Sequence, residues 1–505
     1  MKQKEVNPTA KNSEYKGILK YIGIFGGVQG IVSLITLFRA SIVSHLLGPV
    51  GVGFNDVYNR TIDLGKKATD LGISYSAVQV ISEQSEEVEE QEHMIYAVKV
   101  VRSWSLWLAT LGTLLFFLLA PLLSRWGFDG DHSYTSMFRL LSLTIGCSVL
   151  MGGELAVLKG TRRLARLAWY QLTSATLVLA VAVPCYYLWG INGIVPSLLL
   201  SAISLLVVAC WHSFKVFPYQ VEPFSRKVII DGTYIISRGL SYTLAGLLNS
   251  GAYYLISIYI FSHDNAAEVG CYSYGMLFIS YLSMLAFAVL DNDFFPRLSA
   301  VNKDKERCRQ LINNQIEILT VLITPLIICF AIFLPLITRL LLEAKFMPLV
   351  VMTQIGVVGL FFKAMMHPPA YLSLSKGESL IFLLQEALSY TFMAAVMIAG
   401  FKFSGLKGLG FGLLLSNVFD WLTIWFITTQ RYQFKYSNRV WNLFCTQCPF
   451  LVGLLGICLH TQRWIYIGLG CILIGLSMVY SIRFLHKNTN IITHLLTEMR
   501  KRRES

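Results

Sequence analysis

With 55% of its 505 residues hydrophobic, only 14% charged and a mean hydropathy of +0.58, this chain is excluded from the ordinary soluble proteins. A net charge of +13 would suit nucleic acid, but the cations are sorted along the chain by loop and not gathered in one patch, which argues for a membrane and against that partner. Windows of about 20 apolar residues predict an all-α polytopic helical bundle of about fourteen transmembrane helices. They fall near 20–46, 57–82, 96–122, 136–158, 167–189, 194–212, 229–261, 271–296, 313–337, 350–374, 380–401, 408–429, 442–460 and 464–485.

The basic segment 1–19 and the apolar stretch after it resemble a signal peptide in outline. The first span exceeds the usual apolar core, however, and no small-residue cleavage pattern follows, so a retained helix is expected. The second span is the most informative. Its Arg60, Asp63, Lys66, Lys67 and Asp70 fall within about a third of the helix circumference at roughly 100° per residue, with Thr61, Gly65, Ala68, Thr69 and Gly72 opposite. Each charge at membrane depth costs at least about 2.5–3.5 kcal/mol, so such a helix lines a wet cavity, pairs internally, or both. Asp63 with Lys67, Lys66 with Asp70 and Arg60 with Asp63 have the spacing to pair, and the surplus of cations leaves the face positive. The alternative is a cytosolic amphipathic helix whose charges are solvated. The acidic run 83–92 that follows reads as a solvated inner loop.

Placing both termini in the cytoplasm puts 27 Lys and Arg in inner segments and six in outer loops, as the positive-inside rule expects of an even number of spans. The remaining nine, Arg39, Arg60, Lys66, Lys67, Lys99, Arg102, Arg139, Arg238 and Lys363, fall within or at the ends of spans and are the functional candidates. Val52-Gly53 recurs as Val269-Gly270, and Lys159-Gly160 as Lys376-Gly377, both at an offset of 217 residues. Asn192-Gly193-Ile194 and Lys407-Gly408-Leu409 are similarly placed. The chain is therefore read as two six-helix halves, 20–212 and 229–429, related as a parallel repeat and joined by a cytoplasmic linker, 213–228. Two extra transmembrane helices (442–485) and a basic cytoplasmic tail (486–505) follow. Ten scattered cysteines, with Cys445 and Cys448 lacking a second ligand pair, imply neither a disulfide framework nor a metal site, and no cofactor is expected.

The stretch Leu46-Leu47-Gly48-Pro49-Val50-Gly51-Val52-Gly53 resembles the LGPxGxG turn of bacterial oligosaccharide flippases, the O-antigen and capsule repeat-unit branch of the multidrug/oligosaccharidyl-lipid/polysaccharide exporter superfamily. Leu158-Lys159-Gly160-Thr161-Arg162-Arg163 is similar to the short basic turn of that family. The resemblance implies a multi-pass protein of the bacterial inner membrane. Such a protein moves an undecaprenyl-pyrophosphate-linked oligosaccharide from the cytoplasmic to the periplasmic leaflet through a cationic central cavity. Further partners implied are a polysaccharide polymerase and chain-length machinery.

A diphosphate is best met by Arg, through bidentate hydrogen bonds, and by Lys, as a point charge. The candidates for holding it are Arg39, Arg60, Lys66, Lys67, Arg238 and Lys363. Asp63, Asp70, Glu154, Glu386 and Asp420 are candidates for proton or sodium coupling or for neutralising those cations. Asp291, with Pro368-Pro369 expected to break or kink span ten, is read as gate or hinge, and Asp293 shares its position near the inner loop.

No GxxxxGK[ST] loop is present, so direct ATP hydrolysis is disfavoured. An ion-coupled multidrug extruder of the same fold would more naturally present an acidic cavity. An oligosaccharide polymerase would need a substantial outer loop, whereas the longest outer connection is roughly 124–135. The chain is read as a transporter and not an enzyme.

Overall fold

The structure, a computed structural model, describes residues 8–84, 90–128, 130–460 and 463–488. The start of the N-terminal segment, the middle of the acidic run and most of the basic tail lie outside the described residues. The helices are α1 (Pro8–Asp70), α2 (Ile73–Gln84), α3 (Glu90–Gly127), α4 (Thr135–Gly160), α5 (Leu164–Trp189), α6 (Ile194–Phe214) and α7 (Arg226–His263). They continue as α8 (Ala266–Ala300), α9 (Lys305–Leu341), α10 (Leu349–Ser375), α11 (Ser379–Tyr432), α12 (Asn438–His460) and α13 (Arg463–Asn488).

Eleven stretches are long and apolar enough to cross a membrane, and three of them fold back once, so the fourteen predicted crossings are all present. The first fold is at Gly48, whose φ of 61° and ψ of −176° lie outside the helix and in a region open to a residue without Cβ. Before it the chain lies along α5, with Arg39 within electrostatic reach of Tyr186, and just past the fold Gly51 sits beside Ile191. After it the chain returns along α3, from Phe54 stacked on Phe128 (5.2 Å) to Thr69 against Gly112. The predicted loop at 47–56 is thus absent. Span two starts at Pro49, whose fixed φ suits a first helical position. It also ends early: Leu71 and Gly72 take φ of 46° and 81°, and α2 is a separate helix. Pro49 and Ala266 open their helices at the 217-residue offset of the sequence repeat.

The chain divides into two compact units, residues 1–247 and 248–505. The core of the first joins Ile73, Ala77 and Ile81 of α2 to Val98 and Val101 of α3, Val149 and Val157 of α4, and Val228 and Ile235 of α7. The small face of span two does what small residues do between helices: Gly65 admits Ile145 and Phe116, and Gly72 meets the backbone of Gly239.

The segment 213–228, within the first unit, is fastened along α3. Arg102, 3% exposed, donates to Glu154 (Nε to Oε1, 3.0 Å), to the carbonyl oxygens of Pro218 (2.7 Å) and Phe217 (3.2 Å), and to Ser213 Oγ (3.2 Å). One turn away Lys99 reaches Glu222 (2.7 Å), and Ser103 Oγ accepts from the Glu222 amide (2.9 Å). Trp107 donates to the Pro223 carbonyl (2.9 Å), Trp104 to that of Val228 (3.1 Å), and Tyr96 to Asp231 (2.7 Å).

In the second unit, α11 is a helical hairpin folded at Ser404 and Gly405. Gly400 packs on Gly408, Met397 on Gly412, and Phe392 stacks on Phe419 at 3.7 Å. Its two ends are clasped at Glu378, which accepts from Arg431 (2.7 Å) and the Tyr432 hydroxyl (2.6 Å). These donors, Arg431 foremost, hold the Glu378 carboxyl below the usual carboxylate range. A lowered folded value means the clasp stabilises fully above the ordinary pKa of about 4.3 and is lost as the pH falls through the folded value. Because the pair is largely exposed, water screens it and its contribution is small. The difference in thermal stability between wild type and Glu378→Gln is expected to be small at pH 7 and to vanish toward pH 3. A difference independent of pH would remove the charge from the account.

The expected break of span ten does not occur. Pro368 and Pro369 are both buried within α10, which runs through them without a non-helical residue. Pro369 supplies no amide for the Met365 carbonyl, and the Tyr436 hydroxyl donates to it instead at 3.2 Å.

Candidate functional site

In the first unit the ionic face of span two is open and not packed away: the side chains of Lys67 and Asp63 are 32% and 48% exposed, and they pair at 3.1 Å as the i,i+4 spacing predicts. Arg60 lies 3.4 Å from Asp56, a turn earlier and itself only 6% exposed. Another predicted pairing, Lys66 with Asp70, is replaced. Asp70 accepts from the Ser74 hydroxyl (2.8 Å) and amide (3.3 Å), and Lys66 acts on it only from a distance. Lys66 makes no ion pair among the described residues, and it lies close enough to Lys159 at the end of α4 for the two to repel. Lys67 runs its aliphatic stem against Gly246 of α7. The face has therefore two cations with a carboxylate beside them and one with no ion pair of its own.

Arg39, on the first leg of α1, is another cation without an ion pair among the described residues. It lines a cavity of about 290 Å³ with Gln29, Val32 and Thr36 of its own leg and Tyr170, Gln171 and Ser174 of α5. Gln171 Oε1 in that wall is buried with no hydrogen-bond partner. A guanidinium with no counter-ion beside an unmet polar atom is an arrangement that favours an anionic, hydrogen-bonding guest.

In the second unit a cavity of about 450 Å³ gathers Lys363 and His367 of α10, Glu386, Ser389, Asn417 and Asp420 of the α11 hairpin, Ser280 and Ser283 of α8, and Asn249 and Tyr253 of α7. Lys363 Nζ donates to Ser283 Oγ (3.3 Å) and lies 5.6 Å from the centre of the Phe287 ring. Tyr390 is hydrogen-bonded to both Glu386 and Asn249, and Ser389 to Asp420. Asp420 Oδ1 is buried without a partner.

The structure thus brings Lys363, Glu386 and Asp420 together, three residues that sequence spacing alone could not connect. Glu154 is taken up by Arg102 of α3. Arg238 is on α7 and Asp291 and Asp293 are on α8, but their side chains lie outside the described residues. Residues that the sequence reading missed include Asp56, Lys159, Gln171 and the hydroxyl and amide lining of the second cavity. One signal for part of that lining was present: adding 217 to Asp63, Lys66, Lys67 and Asp70 gives Ser280, Ser283, Met284 and Phe287, all four on the cavity wall.

A helical bundle with eleven stretches long and apolar enough to cross a membrane among the described residues defines a polytopic membrane protein. The family profile described as "Polysaccharide biosynthesis protein" matches residues 42–351, and the chain belongs to that family. Among solved structures it is similar to the lipid II flippase MurJ in an inward closed conformation (TM-score 0.68, 11% identity, covering 92% of this chain and 99% of that one). It is also similar to an inward-facing multidrug resistance transporter of the MATE family and MOP superfamily (0.67, 16%, 80% and 94%). A third is the Vibrio cholerae MATE transporter VcmN in its bent form (0.56, 16%, 86% and 99%). At these identities the likeness is one of fold. No curated protein sequence matches the chain.

Proposed function

We propose that this protein is a flippase that moves undecaprenyl-pyrophosphate-linked oligosaccharide repeat units from the cytoplasmic to the periplasmic leaflet of a bacterial inner membrane by alternating access. The observation that carries the reading is that Arg39 and Lys66, both within a helical stretch long and apolar enough to cross a membrane, have no ion pair among the described residues, in a family of polysaccharide biosynthesis proteins. A diphosphate supplies the missing negative charge. Arg60 and Lys67 supplement it from the same helix, and Arg238 from α7. The repeat halves 20–212 and 229–429, with both termini cytoplasmic, are the moving parts, and a polymerase with chain-length machinery receives the product.

The test is a deletion strain complemented with single variants. Loss of a charge-assisted contact worth about 1.5–3 kcal/mol corresponds to roughly a tenfold to hundredfold loss of binding. Arg39→Ala and Lys66→Ala are therefore expected to reduce surface polysaccharide at least tenfold at normal protein levels, with lipid-linked oligosaccharide accumulating on the inner leaflet. Full export by Arg39→Ala, Arg60→Ala and Lys66→Ala alike would reject the site. Sensitivity of the deletion strain to cationic drugs, with polysaccharide unaffected, would favour an extruder of the same fold.

A further inference from the structure

The second cavity holds two carboxylates and one ammonium, contributed by both legs of the α11 hairpin and by α10. Glu386 and Asp420 act on each other electrostatically, and Lys363 acts on both. Two like charges in a confined space need a cation, a proton, or a hydrogen-bonding partner to be tolerated. The surrounding donors are few: Tyr390 serves Glu386, Ser389 serves Asp420, and Asp420 Oδ1 is left unmet. The Ser280, Ser283, Ser389, Ser416 and Asn417 oxygens around them are of the hard type that bind a small monovalent cation in other settings. Lys363 enters this oxygen-rich chamber on a flexible stem, its ammonium steadied by Ser283 and by the face of Phe287.

We propose that the Lys363 ammonium is the chain's resident counter-cation, tethered in the place that an inorganic monovalent cation would otherwise take, so that the wild-type cavity neither binds nor needs sodium. Lys363 then belongs with the carboxylates of the second unit. The inference is independent of what the cargo is. His367, one turn further along α10, faces the same chamber and acts on Glu386.

The experiment is thermal unfolding of the purified full chain in detergent at pH 8, in sodium chloride against choline chloride of equal concentration. Wild type is expected to show no difference. Lys363→Met removes the ammonium but keeps the bulk of the stem, and is expected to be stabilised by about 3 °C or more in sodium, since a ligand that binds only the folded state raises its melting point. In Lys363→Met/Asp420→Asn the sodium response is expected to disappear. A sodium response in wild type, or its absence in a folded Lys363→Met, overturns the proposal. If Lys363→Met does not fold in choline, recovery of folded protein in sodium supports it, and failure in both salts combined with recovery in Lys363→Met/Glu386→Gln overturns the sodium site.

Discussion

Replacing Arg102 by alanine is expected to destabilise the protein by about 3–5 kcal/mol, the range for removing one partner of a buried pair. The size follows from what is stranded. Glu154, 5% exposed, loses its counter-ion, and the carbonyl oxygens of Phe217 and Pro218 and the Ser213 hydroxyl lose a donor at the same time. The guanidinium also lies against the Phe214 and Tyr219 rings, 5.0 and 5.6 Å away, so packing is lost with charge. Arg102→Met/Glu154→Leu should recover part of the loss, because an apolar replacement removes the stranded carboxylate but leaves the carbonyls unmet. Thermal unfolding in detergent reads both. A cost below about 1 kcal/mol for Arg102→Ala would mean that the connection at residues 213–219 does not depend on this side chain.

Gly408→Val is expected to cost about 3 kcal/mol, at the upper end of overpacking effects. A Cβ at Gly408 would run into the Gly400 carbonyl, and one at Gly400 into that of Gly408, so backbone faces backbone with no side chain to yield. The α11 legs would have to part, and with them Ser389 and Asp420, which sit on opposite legs. Gly475→Ala is the matched control: no atom lies within 4 Å of its Cβ position, and it should be neutral or slightly stabilising through helix propensity. Equal melting temperatures for Gly408→Val and wild type would reject the tight hairpin.

The architecture was largely legible because the bilayer imposes it: a crossing needs about 20 apolar residues whatever its neighbours are. What hydropathy could not see was how little chain a reversal needs. Gly48 and the pair Ser404 and Gly405 turn within one or two residues, so the loops drawn at 47–56 and 402–407 are helix. Span two was placed too late because its polar residues pull the apolar window toward Ile73 and beyond, where a separate helix begins. For the site, local spacing identified Asp63 with Lys67. It did not single out Asp56, one turn before Arg60, because that residue lies ahead of the charged run from Arg60 to Asp70. The two proline residues of α10 misled for a related reason: a break was expected from the lost hydrogen bonds, and Tyr436, over sixty residues away in sequence, supplies one. The chamber around Lys363 was out of reach, because its lining comes from α7, α8, α10 and both legs of α11.

The single-residue reversal at Gly48 bears on how the protein is made. Between an apolar leg and one bearing Arg60, Asp63, Lys66, Lys67 and Asp70 there is nothing that an insertion machine can treat as a separate outer loop. At about 2.5–3.5 kcal/mol for each ionised group, the second leg has little tendency to partition into lipid unaided. Delivered directly behind its greasy partner, it enters as the trailing arm of a pair, so the turn that shapes the bundle also escorts its most polar helix into the bilayer during synthesis.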